Sequence, residues 1–328
     1  MKIAFLSFYS GLIDRGVETF VKELSSRLKK NNKVTIFKGN KEKKISKYSN
    51  LSTLLFTLKV LPKINRTKPD IIYPLNGRWQ AFFCRLLALF SKSKIVIGGH
   101  AGIGRDDLFN LWLWPNTFVA LSIKGRKWAQ KMAPHVKLAR IPHGVDIKKF
   151  NPRVKPLSIN LEKPIILTVA GSEDFKRIDL AIKAVAKLPK GSLLIAGSQS
   201  EKNLSLGRSL LGNKRFLVSR FDHQVMPQVY KTADLFTLPS NSREAFGVCY
   251  LEAMAENLAV VAPNDSLRRE IIGQAGYLVN PKNIDQYAQK LSRGLERDWG
   301  NIPRKQAEKF SWEKVAQDYQ TLFNNLVK

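Results

Sequence analysis

Two carboxylates, Glu244 and Glu252, stand eight positions apart in the segment EAFGVCYLEAMA at 244–255. If the intervening residues are helical, a rise of ~1.5 Å per residue separates the two side chains by about 12 Å. A carboxylate pair that hydrolyses one glycosidic bond stands roughly 5 to 9.5 Å apart. The spacing therefore favours two acids that hold different parts of one long ligand. A helix-capping acid at Glu244 and a surface acid at Glu252 are the alternative.

A strand, a loop, a helix and a second strand are predicted to position this pair. The apolar run at 235–238 has the length of a strand, and a polar loop follows it. An alanine-rich segment at helical spacing, 247–256, leads to a second short apolar run at 259–262. This order predicts a βαβ crossover in a parallel sheet. Gly247 lets the backbone approach a ligand, and the free N–H groups of a helix start favour hydroxyls or anions.

The segment 244–255 resembles the E-x7-E signature of the retaining glycosyltransferases of family GT4, which have the GT-B fold. The resemblance implies an α/β protein of two Rossmann-like domains that face each other across a cleft. It also implies transfer of a sugar from a nucleotide-sugar donor to an acceptor hydroxyl with retention at the anomeric carbon. By this resemblance Glu252 binds the ribose hydroxyls, and Glu244 holds the donor sugar together with the backbone at Phe246 and Gly247.

Two adjacent cations, Lys176 and Arg177, open a predicted helix after the strand at 164–170. Cations are poorly placed at a helix N-terminus unless an anion such as a diphosphate compensates them; a solvated charged pair is the alternative. In the family an Arg stands at the position of Gly171 and a Lys at Lys176, and both reach the diphosphate. Because Gly171 departs from this pattern, we expect Arg177 to take over.

The resemblance further implies that these cations stabilise the leaving diphosphate as Mg²⁺ does elsewhere. The sequence contains no Asp-x-Asp pair, and we expect neither a metal nor another cofactor.

His100 lies in the segment GGHAG at 98–102, directly after a predicted strand. Ligands of open parallel sheets bind at the carboxyl ends of strands, although a lone histidine is often structural. In the family a histidine at this point approaches the donor sugar, and His100 matches it. The segment at 16–18 resembles the family's G-G-x-E, which implies a donor-binding role for Gly16, with Arg15 in place of the first glycine.

The domain boundaries follow from composition and from the same resemblance. The predicted parts are an acceptor-side domain at 1–150, a donor-binding domain at 151–309, and a C-terminal helix at 310–328 that packs back on the first domain. The segment at 141–150 resembles the family's I-P-N-G-V-D, with His143 in place of Asn, and is predicted to hold the last strand of the first domain. The segment at 151–156 is the expected hinge. Pro62 is predicted to end an apolar helix that begins at Leu51.

The bulk composition suits a globular protein of two domains, with 328 residues and 44% apolar residues. The two cysteines, Cys84 and Cys249, stand far apart in apolar segments, which excludes a disulfide framework and favours a reducing cytoplasm. The chain starts directly with a predicted strand, so no signal peptide is expected. The longest apolar segment, 79–90, is too short to span a bilayer.

The net charge of +29 is concentrated in the first half of the chain. Residues 1–150 hold 29 Lys/Arg against 8 Asp/Glu, whereas residues 151–328 hold 26 against 18. Such a field attracts polyanions, although a lysine-rich genome or simple solubility could also explain it. The predicted loop at 38–50 carries five of the lysines: Lys38, Lys41, Lys43, Lys44 and Lys47.

The helix predicted at 79–90 has basic flanks and is either a buried helix or an interfacial one. We expect a lipid-linked or anionic acceptor and peripheral contact with anionic membrane on the inner face of the cell membrane. For Trp112 and Trp114 the sequence leaves three alternatives: the two side chains are part of the core, line the acceptor site or contact lipid. A sugar-nucleotide epimerase or a phosphorolytic enzyme of the same fold is a second interpretation. A nucleic-acid binder is a distant third, because no stacking motif occurs.

Overall fold

The computed structural model describes residues 1–10, 16–39 and 49–328, without the side chains at 49 and 50. Arg15 and the four predicted loop lysines Lys41, Lys43, Lys44 and Lys47 lie outside the described residues. The chain divides into two compact units, the first formed by Met1–Gly144 with Trp312–Lys328 and the second by Val145–Ser311. The change of unit at 144 therefore comes before the segment 151–156 that was predicted as the hinge.

The first unit is a six-stranded parallel sheet covered by helices. Its strands are β1 Lys2–Ser7, β2 Lys33–Lys38, β3 Ile71–Pro74, β4 Lys94–Gly98, β5 Thr117–Ala120 and β6 Leu138–Arg140. Its first five helices are α1 Gly16–Leu28, α2 Ser49–Thr67, α3 Arg78–Leu89, α4 Arg105–Trp112 and α5 Ile123–Met132. The strand order β2-β1-β3-β4-β5-β6 is entirely parallel.

Alternating residues of β1 separate the two cores of the first unit. Ile3 and Phe5 face a core formed with α1 and with the last helix of the chain, Trp312–Val327. Ala4 and Leu6 face the opposite core, which is formed with α2, α3, α4 and α5. Since successive side chains of a strand point to opposite faces, the sheet is buried on both sides. The C-terminal helix is thus part of the first unit.

The second unit is also a six-stranded parallel sheet. Its strands are β7 Ile165–Val169, β8 Ser192–Ala196, β9 Phe216–Ser219, β10 Leu235–Thr237, β11 Val260–Pro263 and β12 Gly276–Val279. Its helices are α6 Ile178–Ala186, α7 Glu201–Arg215, α8 Met226–Thr232, α9 Val248–Ala255, α10 Ser266–Ile272, α11 Ile284–Glu296 and α12 Ile302–Glu308; the C-terminal helix is α13. The order β12-β11-β10-β7-β8-β9 is that of a dinucleotide-binding Rossmann sheet.

Two sequence predictions about elements of the first unit were wrong. Pro62 does not end α2, which continues to Thr67. Pro62 is exposed, so water can reach the carbonyl that loses its donor, and Ile64 beyond it is fully buried in the core. The last strand of this unit is Leu138–Arg140 and ends before the segment at 141–150 that was predicted to contain it.

The segment that enters the second unit is attached to that unit by backbone and side-chain hydrogen bonds. The Val145 N–H donates to the carbonyl of Phe310 at 2.9 Å. Arg304 donates to the carbonyl oxygens of Ile147 and Phe150, each at 2.6 Å. Glu256 accepts from the Asn151 N–H at 2.6 Å. These hydrogen bonds agree with the division of the chain, which places residues 145–151 in the second unit.

Candidate active site

The loops after β7 and β10 form the centre of the second unit's candidate site. β7 and β10 are neighbours in the sheet, although three α-helices and two strands separate them in sequence. The strand order reverses at this pair, and in open α/β sheets ligands bind at the carboxyl ends of the strands at such a switch point. The loop after β7 leads to the 3₁₀ turn Asp174–Lys176, and the loop after β10 leads to α9.

Lys176 and Glu244 meet where these two loops end. The Lys176 Nζ donates to Glu244 Oε2 at 2.6 Å, and the two side chains are only 15% and 11% exposed. Burial lowers the pKa of Lys176, but the surrounding groups, the Glu244 carboxylate first among them, together outweigh burial and leave the pKa raised. Lys176 is therefore a cation at neutral pH, and it is held beside the Glu244 carboxylate in the loops that follow the carboxyl ends of β7 and β10.

Glu252 lies on α9, eight residues after Glu244, and is held by a hydrogen bond from another helix. The fully buried Tyr230 of α8 donates its hydroxyl to Glu252 Oε2 at 2.7 Å. Burial raises the pKa of Glu252, and the hydrogen bond from Tyr230 opposes that shift. Since one carboxylate oxygen is fixed by Tyr230, the orientation of the other is fixed as well. Sequence reasoning missed Tyr230, because its contact depends on tertiary structure.

Cys249 lies among the three charged side chains of the site. Burial is the main cause that raises the pKa of its thiol to about 12, and the carboxylates of Glu244 and Glu252 raise it further while Lys176 lowers it. Lys176 and Glu244 are thus paired directly before α9, and Glu252 lies on α9 itself.

Glu244 precedes α9, which begins only at Val248. The separation of 12 Å that assumed eight helical residues therefore does not apply to this pair. Gly247 is the N-cap with φ 87°, and a Cβ there would meet the ring of Tyr250 at 2.7 Å. Only glycine fits this turn without strain. Phe246 is buried against the ring of Phe310, so its side chain serves packing while its backbone adjoins the site.

Arg177, which was predicted to reach the diphosphate, makes two hydrogen bonds to the loop after β10. It occupies the left-handed region at φ 52°, which is uncommon for a residue other than glycine. Its Nε donates to the carbonyl of Pro239 at 2.7 Å, and its Nη2 donates to the carbonyl of Ser240 at 3.1 Å. Two of its three nitrogens thus bind the loop after β10. Gly171, where the family has an arginine, lies beside the Glu173 carboxylate, which a Cβ would contact at 2.5 Å.

His100 lies in the first unit, inside a chain of hydrogen bonds. Its Nε2 is 3.3 Å from the Tyr73 hydroxyl, which is 3.2 Å from the Tyr319 hydroxyl of α13. Its Nδ1 is 3.4 Å from Nε2 of His143. Burial and the neighbouring His143 hold the pKa of His100 well below its usual range. Both ring nitrogens are therefore engaged within this unit, and the sequence did not indicate these partners.

The glycines around His100 have a packing reason. A Cβ on Gly98 would collide with the Tyr73 hydroxyl and with the His100 ring, and one on Gly99 would come within 2.9 Å of Phe118. Buried Asp107 accepts hydrogen bonds from the backbone N–H groups that follow the histidine, and burial raises its pKa to about 7. The loop is thus held tightly on both sides.

Gly16 is the first residue of α1, and a Cβ there would meet nothing within 4 Å. Residues 11–15, which would complete the predicted loop, lie outside the described part of the chain. The structure therefore brings Lys176, Arg177, Glu244, Phe246, Gly247 and Glu252 together in the second unit and places His100 and Gly16 in the first.

We expect the stability of the protein to decrease at acidic pH because of His143. Burial lowers its pKa to about 4, against about 6.5 in an unfolded chain. A depressed histidine pKa stabilises the fold fully above about pH 6.5, and this contribution is lost as the pH falls towards 4. The loss is at most on the order of 3 kcal/mol. Melting curves from pH 7.5 to 4 should fall more steeply for the wild type than for His143→Asn, and parallel curves would contradict this.

Residues 150–311 match the family model described as "Glycosyl transferases group 1". A curated relative is the phosphatidyl-myo-inositol mannosyltransferase of Mycolicibacterium smegmatis, 29% identical over 222 residues, which are 63% of this chain and 57% of that protein. The chain spans about half the length of the curated relatives it matches.

Solved structures resemble the whole chain. The sucrose-phosphate synthase of Thermosynechococcus elongatus superposes with a TM-score of 0.82 at 19% identity and covers 99% of this chain and 98% of its own. The Anabaena protein HepE in complex with UDP gives a TM-score of 0.78 at 16% identity and covers 99% and 100% of the two chains. At these identities the likeness establishes the fold.

The chain is therefore a GT-B fold protein whose residues 150–311 form a domain of the glycosyl transferases group 1 family. The predicted α/β class with two Rossmann-like units is confirmed, and so is the resemblance to family GT4.

Proposed function

We propose that this protein is a retaining glycosyltransferase of the hexosyltransferase type that moves a sugar from a nucleotide-sugar to an acceptor hydroxyl without a metal ion. The observation that carries the proposal is the Lys176–Glu244 pair directly before α9, with Glu252 on that helix, in the loops at the switch point of a Rossmann sheet. A fixed cation and two fixed acids at this place suit a ligand with one anionic part and two hydroxyl-rich parts.

Each residue has a distinct proposed role. Lys176 meets the diphosphate and stabilises the negative charge that builds on it as the glycosidic bond breaks. Glu244, with the backbone at Phe246 and Gly247, accepts hydrogen bonds from the donor sugar. Glu252, oriented by Tyr230, accepts from the ribose hydroxyls. His100 and Gly16 are proposed contacts from the first unit, and a contact through the His100 side chain requires one of its two present hydrogen bonds to open.

Relatives and structural neighbours support this choice of ligands. The solved HepE structure contains UDP, and a further one of the same protein contains UDP and glucose. The mannosyltransferase relative is named for a phosphatidyl-inositol acceptor. We therefore propose a nucleotide-sugar donor and a lipid-linked or anionic acceptor at the inner face of the cell membrane.

A product analysis tests the proposal directly. The chain is incubated with UDP-, GDP- or ADP-hexose, with and without membrane lipids, and the anomeric configuration of the product is read by NMR. Acceptor-dependent release of nucleoside diphosphate with a retained configuration supports the proposal. A donor converted without acceptor would indicate an epimerase, cleavage dependent on phosphate would indicate a phosphorolytic enzyme, and an inverted product would contradict retention.

The outer face of the helices α2, α3 and α4 supports contact with an anionic bilayer. Most exposed large apolar side chains among the described residues lie on or beside these helices: Leu51, Leu55, Leu58, Trp79, Phe82, Leu86, Leu89, Phe90, Ile103, Trp112 and Trp114. Residues 49–132 carry thirteen Lys/Arg against three Asp. Exposed aromatic side chains within a strongly basic part of the chain suit a membrane interface. No helix in the described ranges is long and apolar enough to cross a bilayer.

We expect the chain to cosediment with anionic but not with neutral liposomes. Each Lys or Arg near an anionic surface contributes about 1 kcal/mol, and this attraction is screened as salt approaches 1 M. Replacing Trp79 and Phe90, which are 52% and 85% exposed, by Ser should weaken binding about tenfold or more, because apolar area then stays in water. Leu210→Ser in the second unit, 46% exposed, is the matched control and should bind normally. Equal binding to neutral liposomes, or none to either, would contradict this docking.

A further inference from the structure

The loop that carries Glu244 is attached to the rest of the second unit by two arginines. Arg177 donates to the carbonyl oxygens of Pro239 and Ser240. Arg268 approaches from α10 and donates through Nη2 to the Ser240 hydroxyl at 2.7 Å and to the carbonyl of Asn241 at 3.2 Å. Its Nη2 also lies 3.3 Å from the Ser240 carbonyl. Three consecutive residues at the start of the loop are thus held by two guanidinium groups.

Asn241 connects this loop start to both Lys176 and Glu244. Its N–H donates to the carbonyl of Phe175, the residue before Lys176, at 2.8 Å. Its own carbonyl accepts from the Glu244 N–H at 3.2 Å. The position of Asn241 therefore sets the distance between the cation and the acid of the candidate site. A shift of this one residue would move Glu244 relative to Lys176.

Both arginines have an energetically unfavourable local feature. Such features are expected of residues that are kept because they position a functional group. Arg177 adopts a left-handed backbone conformation that glycine would adopt without strain. Arg268 is 1% exposed, and its Nε is buried with no partner among the described residues. Its one ion pair within the described ranges is with the Asp265 carboxylate, at 2.8 Å. Two unfavourable features that converge on one loop point to a functional reason, since natural sequences break local rules mainly at functional sites.

We propose that Arg177 and Arg268 are positioning residues that clamp the backbone at 239–241 and thereby hold Glu244 in register with Lys176. This inference rests on the proposed transferase function, and it assigns Arg177 to the loop rather than to the diphosphate. Arg177 uses two nitrogens of one planar guanidinium to hold two successive carbonyls, a fixed geometry that the flexible ammonium of a lysine does not provide. The clamp thus depends on the geometry of the side chain and not on its charge alone.

The experiment compares Arg177→Lys and Arg177→Gln with the wild type and with Lys183→Gln. Lys183 is an exposed cation of α6, the helix that begins directly after Arg177; its ion pair within the described part of the chain is with Asp179, and it serves as the matched control. The probes are bare UDP, GDP and ADP, titrated by calorimetry, together with turnover of the corresponding nucleotide-hexoses. Hydrogen exchange of the peptide at 239–246, measured without ligand, reports the clamp independently of activity. Arg268→Lys is the second variant.

A clamp predicts that both Arg177 variants lower kcat on the order of 10 to 100-fold, because a small misplacement of reacting groups has effects of this size. Exchange at 239–246 should rise about tenfold in both, while nucleotide affinity stays within about threefold of the wild type. Arg268→Lys should reproduce this pattern, and Lys183→Gln should not. A diphosphate ligand predicts the reverse: lower nucleotide affinity in Arg177→Gln, recovery in Arg177→Lys, and unchanged exchange, which would overturn the proposal. If the wild type binds and turns over no nucleotide-sugar, the proposed function fails, whereas the exchange measurement still decides the clamp.

Discussion

Replacing Lys176 by Ala is expected to lower the rate of sugar transfer by about 10²–10³, as the loss of one preorganised donor does at other sites of charge development. Lys176 is a cation at the switch point of the second sheet, and its pKa is raised, so it stays charged throughout the neutral range. The measurement is kcat for Lys176→Ala beside Lys183→Ala, an exposed lysine on the neighbouring helix.

The loss of Lys176 also leaves the largely shielded Glu244 carboxylate without its partner, so folding must be measured together with activity. Removing one member of a buried pair destabilises because the other charge stays in the interior. Lys176→Arg keeps the charge and should stay folded while it recovers only part of the rate. Transfer by the wild type should survive EDTA. Loss of activity on chelation with recovery on adding Mg²⁺, or an unchanged kcat in Lys176→Ala, would contradict this role.

Replacing Glu252 by Ala is expected to weaken nucleotide binding by roughly 1.5 to 3 kcal/mol, the range for hydrogen bonds to a charged group. The carboxylate is fixed by the Tyr230 hydroxyl at 2.7 Å, so its other oxygen is preorganised for the ribose. Tyr230→Phe removes only that orientation and should weaken binding less, by about 0.5 to 1.5 kcal/mol.

The control for the Glu252 prediction is Glu244, which is proposed to contact the sugar. Glu244→Ala should lower turnover of a nucleotide-sugar far more than affinity for the bare nucleotide. Calorimetry with the nucleotide alone separates the two acids. Equal affinity of the wild type and Glu252→Ala would remove Glu252 from the ribose site, and a large loss of bare-nucleotide affinity in Glu244→Ala would exchange the two roles.

The βα rhythm of both units could be predicted because buried parallel strands are short apolar runs that alternate with helical segments. Strands such as Ile165–Val169 and Ser192–Ala196 lie where the sequence indicated. The prediction failed at Pro62, where local propensity indicated an end and tertiary packing outweighed it. It also failed after Arg140, where apolar residues continue beyond the end of the strand.

The candidate site was predictable in its residue types and not in their contacts. The spacing of Glu244 and Glu252 pointed to a ligand site, but the pairing of Glu244 with Lys176 joins positions 68 residues apart and depends on the order of strands in the sheet. The partners of His100 likewise come from distant elements, including Tyr73 of β3. Arg177 shows the same limit, since two adjacent cations in a sequence do not reveal that one of them faces the backbone of another loop.

Thermal unfolding in the presence of nucleotide-sugars tests the central claim most directly. A ligand that binds only the folded state at 100 times its Kd stabilises it by about 2.7 kcal/mol, which is roughly 5–10 °C in Tm for a unit of this size. We predict such a shift with one of UDP-, GDP- or ADP-hexose for the wild type and for the control Lys183→Gln, and a clearly smaller one for Glu252→Ala. No shift with any of the three donors at millimolar concentration, or an equal shift in Glu252→Ala, would contradict the account.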